Sequence, residues 1–121
     1  MAPRVRITDV SPRDGLQNEP GVIPTASKAR LIALLCAANV DEVEIASFVN
    51  PKWVPQMGDA AAVCAEVAAL VGRGEITQRP MFSALVPNER GLDGLLAANE
   101  AAARAYPHHR DPLVGKAAVF T

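Results

Sequence analysis

Residues 4–19 of the chain read RVRITDVSPRDGLQNE, an apolar strand pattern followed at once by a polar loop. The strand is predicted over Val5 to Val10, and Arg13 and Asp14 stand side by side shortly after it. Loops that follow strands carry the chemistry of α/β folds. An adjacent arginine and aspartate offer a cation and a hard oxygen ligand, which suit an anionic oxygen and a divalent metal. A solvated surface ion pair is the alternative interpretation of these two residues.

The rest of the chain alternates helix and strand patterns. The further predicted elements are a helix from Thr25, a strand over 43–49, a helix from Ala60, a strand over 81–86, a helix capped by Asn88 and a strand over 117–120. Thr25 is expected to be the N-cap of the first helix. The apolar stripe of that helix is predicted as Leu31, Ile32, Leu34, Leu35 and Ala38. Repeated strand–helix units with right-handed crossovers predict an α/β fold with a parallel sheet.

The segment 99–116 does not fit this alternation. Pro107 and Pro112 preclude a continuous helix there, so the segment is predicted to be an inserted loop. His108 and His109 lie within it, and adjacent histidines in a proline-rich loop are typically solvated. They are therefore not predicted to be metal ligands.

Composition narrows the class of protein. At 121 residues the chain is one domain at most, with 50% hydrophobic residues and a net charge of -1. That charge gives no argument for binding nucleic acid or an anionic membrane, and no apolar run has the ~20 residues that a membrane span needs. No signal peptide is visible at the N-terminus. Cys36 and Cys64 fall on apolar helical faces, which predicts buried, reduced thiols and a cytoplasmic location.

A second stretch makes the interpretation specific. Residues 44–59 read EIASFVNPKWVPQMGD, and together with residues 11–19 they resemble the 3-hydroxy-3-methylglutaryl-CoA lyase family of metal-dependent lyases. The resemblance implies a (β/α)8 barrel of the TIM type. Such a barrel needs about 250 residues, so residues 1–121 are expected to form its N-terminal half, an incomplete barrel.

The resemblance also implies roles for four residues. Asp14 would bind Mg²⁺ or Mn²⁺, and Arg13 would polarise the thioester carbonyl and stabilise the enolate that forms on cleavage. Gln17 would lie close to metal and substrate, although a hydrogen bond within its own loop is the alternative. Glu44 would be a catalytic residue inside the barrel mouth that supports the metal site, and a strand residue facing solvent is the alternative there. Arg13 is thus both a catalytic and a substrate-binding candidate.

Neighbouring residues are expected to complete the rim of this site. Ser47 is expected to face the same mouth as Glu44. Asn50, Lys52, Trp53 and Gln56 are expected in the loop after the second strand, where Trp53 is predicted to pack as a structural anchor.

The function implied by the resemblance is metal-dependent cleavage of an acyl-CoA thioester, 3-hydroxy-3-methylglutaryl-CoA, to acetyl-CoA and acetoacetate, as in leucine degradation and ketone-body metabolism. The family's later metal ligands have no counterpart here, so the chain alone is expected to be inactive. Its open sheet edges favour self-association into a homo-oligomer. The alternatives are a related enzyme that condenses acetyl-CoA with a 2-oxo acid, and a non-catalytic truncated half-barrel.

Overall fold

The structure is a computed structural model that describes residues 4–107 and 111–119. Within that part of the chain, a parallel sheet with strand order β1-β2-β3-β4 is covered by helices. The elements are β1 Thr8–Asp9, α1 Thr25–Ala37, β2 Glu42–Ser47, α2 Ala60–Gly72, β3 Met81–Leu85, α3 Glu89–Ala105 and β4 Lys116–Ala118. The predicted α/β class and parallel order are confirmed. No helix of the described residues is long and apolar enough to cross a membrane.

The first strand is shorter than its sequence pattern predicts. Val5 and Ile7 are 78% and 55% exposed, because β1 is an edge strand with only β2 as its neighbour. The amide of Ile7 donates to Asp41 Oδ2 at 2.8 Å instead of joining a regular ladder. This hydrogen bond lowers the pKa of the Asp41 carboxyl.

One face of the sheet and the inner faces of the helices form the apolar core. Its members include Ile32 and Cys36 from α1, Val43 and Ile45 from β2, Val63, Cys64 and Val67 from α2, and Phe82 and Ala84 from β3. Both cysteines are free and buried, as predicted. Burial raises the pKa of Cys36 to about 11 and that of Cys64 to about 12.

Along β2, the carboxylates of Glu42 and Glu44 alternate with the core residues Val43 and Ile45, so they lie on the opposite face of the sheet. Glu42 is 3% exposed and accepts hydrogen bonds from Arg6 at 2.8 Å and from Lys116 at 3.2 Å. Burial raises the pKa of Glu42, but the hydrogen bonds from Arg6 and Lys116 outweigh this effect and lower the pKa.

The third helix is capped as predicted but is longer than predicted. Asn88 Oδ1 accepts the amide of Gly91 at 2.8 Å. The helix then includes residues 99–105, so the predicted loop begins too early. The run of alanines there favours helix, and the side chain of Asn99 is held by both backbone groups of Val114 at 2.9 and 3.0 Å. That the remaining connection to β4 is an insertion stays a prediction.

Thr25 is not an N-cap: Pro24 holds that position without a side-chain cap, and the Thr25 hydroxyl donates to Asp59 Oδ2 at 2.6 Å instead. The pair His108 and His109, and Phe120 at the end of the predicted fourth strand, lie outside the described residues.

Candidate functional site

The turn after β1 is fixed by local hydrogen bonds. Residues Ser11–Gly15 form a single π-helical turn, in which the carbonyl of Val10 accepts the amides of Arg13 and Asp14 at 3.1 and 2.7 Å. Asp9 Oδ1 accepts both the amide and the hydroxyl of Ser11, at 2.9 and 2.5 Å. The backbone that carries Arg13 and Asp14 is therefore fixed by hydrogen bonds to the residues just before it.

The structure brings Arg13, Asp14 and Glu44 together. Arg13 Nε donates to Glu44 Oε1, and Arg13 Nη1 donates to Asp14 Oδ1 at 3.2 Å. The side chains of Arg13 and Glu44 are only 15% and 8% exposed, whereas that of Asp14 is 59% exposed. Glu44 thus anchors the guanidinium from the adjacent strand, while the carboxylate of Asp14 remains open to solvent.

This arrangement suits binding of an anionic oxygen. The guanidinium uses its Nε edge on Glu44, and Nη2 makes no hydrogen bond within the described residues. Arginine stays charged at any physiological pH and presents planar donors. A donor that is held rigidly before the ligand arrives stabilises developing negative charge with little reorganisation.

A complete metal site is not present in the described residues. Within 4–107 and 111–119, no group of three or more His, Cys, Asp or Glu side chains is placed to hold a metal ion. Asp9 is engaged by Ser11, and Glu44 by Arg13. Asp14 can offer one exposed oxygen ligand, but Mg²⁺ needs further ligands from substrate, water or other side chains.

Gln17 lines a cavity of about 330 Å³ formed by the segment 17–22 and the loop 53–56. Trp53 lies at this cavity and is 82% exposed, so the prediction that it packs as an anchor is wrong. The loop is held by Asn50 instead. The carbonyl of Asn50 accepts the amide of Trp53 at 2.9 Å, and its side chain accepts the amide of Lys52 at 3.0 Å.

Beneath this cavity lies a buried polar network that the sequence analysis missed. Lys28 is 2% exposed; its Nζ donates to Asp59 Oδ1 at 2.7 Å and to the carbonyl of Gln56. The side chain of Gln56 accepts the amide of Ile23 and donates to the carbonyl of Gly21, both at 2.7 Å. The network therefore ties the segment after Asp14 to the loop after β2.

One sequence signal could have revealed this network. Lys28, Ile32 and Cys36 recur every four residues, which places a lysine on the buried face of α1. The predicted stripe included Leu34, which is 57% exposed. A lysine on an apolar face is almost never fully buried unless it is paired.

Ser47 is 1% exposed. It lines a larger cavity of about 1110 Å³ that runs along α2 and α3, together with Phe48, Asn50 and Lys52. Ala61, Ala65, Ala97 and Ala101 form part of its wall.

Comparison with known proteins gives consistent results. The family model described as HMGL-like matches residues 4–105. The 3-hydroxy-3-isohexenylglutaryl-CoA/hydroxy-methylglutaryl-CoA lyase of Pseudomonas aeruginosa is 46% identical over 95 residues, which cover 77% of this chain and 29% of that protein. The (R)-citramalyl-CoA lyase of Chloroflexus aurantiacus is 47% identical over 100 residues, which cover 78% of this chain and 31% of the length of that lyase.

A solved structure, that of the HMG-CoA lyase of Bacillus subtilis, superimposes with a TM-score of 0.72 at 35% identity over 98% of this chain and 33% of the other. The predicted family resemblance is confirmed, and the sheet matches part of the barrel of such lyases. The chain spans about a third of the length of the relatives that it matches.

Proposed function

The chain belongs to the HMGL-like family, and we propose that it is the N-terminal part of a lyase that cleaves 3-hydroxy-3-methylglutaryl-CoA to acetyl-CoA and acetoacetate. Its relatives are lyases of CoA thioesters by name. The observation that carries the proposal is the guanidinium of Arg13, anchored by the buried Glu44 beside an exposed Asp14. This constellation supplies what the thioester half of such a reaction requires.

In the proposed reaction, a base removes the proton of the tertiary hydroxyl, and the oxygen becomes the ketone oxygen of acetoacetate. The carbon–carbon bond breaks, and its electron pair passes to the thioester side as an enolate, which takes up a proton to give acetyl-CoA. Arg13 donates to the thioester oxygen as this charge develops. Glu44 acts on Arg13 as a positioning residue, because its carboxylate holds Nε.

We also propose that Asp14 contributes one oxygen ligand to Mg²⁺ or Mn²⁺. The support is its position and its 59% exposure; a hard carboxylate is a suitable ligand for either ion. A divalent ion at this place would act as a Lewis acid toward substrate oxygens. The further ligands and the base would come from outside these residues, so the chain alone is proposed to be inactive. A cytoplasmic location is proposed from the two free, buried thiols.

The proposal is tested with a chimera. Residues 4–98 of this chain replace the matching segment of the Pseudomonas aeruginosa lyase, and acetoacetate release from 3-hydroxy-3-methylglutaryl-CoA is measured with Mg²⁺. We expect turnover, and a loss on the order of 10²–10³ in kcat for Arg13→Ala. Arg13→Lys should lose nearly as much, because a point charge does not replace the planar fork. Arg30→Ala, an exposed arginine of α1, is the matched control.

A folded chimera without turnover would contradict the lyase proposal, and full activity of Arg13→Ala would remove the role of Arg13. The second candidate, condensation of acetyl-CoA with a 2-oxo acid, uses the same stabilisation of a thioester enolate. It is tested by supplying those two substrates to the same chimera. Absence of both activities would favour a non-catalytic half-barrel.

A further inference from the structure

We propose that the cavity between the segment 17–22 and the loop 53–56 binds the adenine ring of a CoA thioester, with the indole of Trp53 as the stacking surface. The proposal rests on the CoA thioester substrate proposed above. Trp53 and Val22 lie on the two sides of this cavity and are 82% and 76% exposed. Tryptophan is highly buried in most proteins, and exposed apolar surface beside a cavity is typical of a binding site.

The exposed indole is carried by a rigid loop. Asn50 holds the amides of Lys52 and Trp53, and prolines at 51 and 55 restrict the backbone on either side. Gln56 joins the two cavity walls through its hydrogen bonds to Gly21 and Ile23. A ligand that meets walls already fixed in place loses less conformational entropy on binding. The cavity of about 330 Å³ has the volume of a small-molecule site.

The chemistry of the walls favours a flat heterocycle over a phosphate. Nucleobases stack on aromatic side chains, and the Gln17 carboxamide in the wall can donate to and accept from a base edge. The carboxylate of Glu19 also lines the cavity and would repel a phosphate. Lys52, exposed next to Trp53, supplies a cation outside the cavity, where the phosphates of CoA would lie.

The cavity also lies close along the chain to the proposed thioester site. The wall begins at Gln17, three residues beyond Asp14 along the same segment. The hydrogen bonds of Gln56 fix that segment against the loop carrying Trp53. In this proposal one ligand places its thioester at Arg13 and its nucleotide at Trp53.

Trp53 is the only tryptophan of the chain, so its fluorescence reports on this cavity alone. The chain is titrated with CoA, with the nucleotide half of CoA and with pantetheine, the other half. We expect saturable quenching by CoA and by the nucleotide half, and none by pantetheine. Quenching by pantetheine alone, or no binding of CoA, would overturn the proposal. So would an emission shift caused by protein concentration alone, because Trp53 would then lie between copies of the chain.

Variants then locate the site by calorimetry. Trp53→Leu should weaken the binding of CoA by about ten- to a hundredfold, the range for one base stacked on an aromatic side chain. Trp53→Phe should restore most of it, because a ring remains. Both should keep the circular dichroism of the parent, since the indole is exposed. An unchanged Kd for Trp53→Leu overturns the proposal.

The proposed lyase function is judged separately. Arg13→Ala should leave binding of the nucleotide half unchanged, because Arg13 does not line this cavity. If CoA does not quench the fluorescence of Trp53 while the chimera is active, the nucleotide site is refuted and the lyase proposal stands. If CoA quenches the fluorescence of Trp53 while the chimera is inactive, the lyase proposal is refuted and the nucleotide site stands.

Discussion

Replacing Lys28 by methionine is the most direct test of how the two site loops are held. Methionine keeps the length and the apolar stem but removes the ammonium group, which donates hydrogen bonds to Asp59 and to the carbonyl of Gln56. Lys28 is 2% exposed, so water cannot take the place of the ammonium group. Asp59 is left as a carboxylate that has lost its cation.

The magnitude follows from the burial of the two partners. Removing one partner of a fully buried ion pair costs about 3–5 kcal/mol. Asp59 is 26% exposed and keeps the hydrogen bond from Thr25, so the loss of stability should lie at the lower end of this range. The Gln56 carbonyl also loses a charged hydrogen bond, whereas the desolvation of Lys28 is relieved. We expect about 3 kcal/mol less stability, a large part of the 5–15 kcal/mol typical of a domain.

Urea unfolding followed by circular dichroism at low protein concentration measures this difference. Lys52→Met, which removes an exposed lysine, is the control and should stay within about 0.5 kcal/mol of the parent. The double variant Lys28→Met with Asp59→Asn should lose less stability than the two single variants lose in sum, because no unpaired charge remains in it. A Lys28→Met chain as stable as the Lys52→Met chain would refute the argument.

The remaining predictions concern acid, thiols and assembly. The pKa of Glu42 is lowered in the folded state, so its contribution to stability is complete above about pH 5 and is lost as the pH falls through the lowered pKa. Glu42→Gln should therefore reduce the loss of stability between about pH 5 and lower pH. If the dependence of stability on pH is unchanged in this variant, Glu42 is excluded as a source of that loss. With pKa values of about 11 and about 12, Cys36 and Cys64 should resist a thiol reagent at pH 8 in native buffer and both react in urea; rapid native labelling would show that they are accessible. The open edges at β1 and β4 should make the chain self-associate, and sedimentation as a monomer across concentrations would contradict this.

The sequence could predict the fold because its patterns were locally unambiguous. The short apolar run with Val43 and Ile45 is compatible only with a strand, and the periodic apolar residues of α2 only with a helix. The parallel order then followed from the alternation of strands and helices along the chain. The end of α3 was missed because Pro107 was weighed over the alanines before it. Those alanines continue the helix up to Ala105, and Asn99 finds its partner in Val114.

The sequence predicted that three of the candidate site residues come together, but not the contacts they make. That Arg13, Asp14 and Glu44 would share one edge followed from parallel strands, but the pairing of Arg13 with Glu44 depends on side-chain geometry that no spacing specifies. The partners of Lys28 were equally invisible. Asp59 and Gln56 lie about thirty residues away, and only the packing of α1 against α2 brings them within reach.

The pairing of Glu42 has a consequence for the order in which the chain can fold. The carboxylate of Glu42 pairs with two cations that lie on either side of it in the sequence. Arg6 lies before β1, and Lys116 lies in β4, 74 residues after Glu42. The contact with Arg6 closes a segment of 36 residues, whereas the contact with Lys116 closes one of 74 and has to wait until β4 has been made. Such long loop closures are slow. We therefore expect β4 to dock last, in a kinetic phase that Lys116→Met alters and Arg4→Met does not.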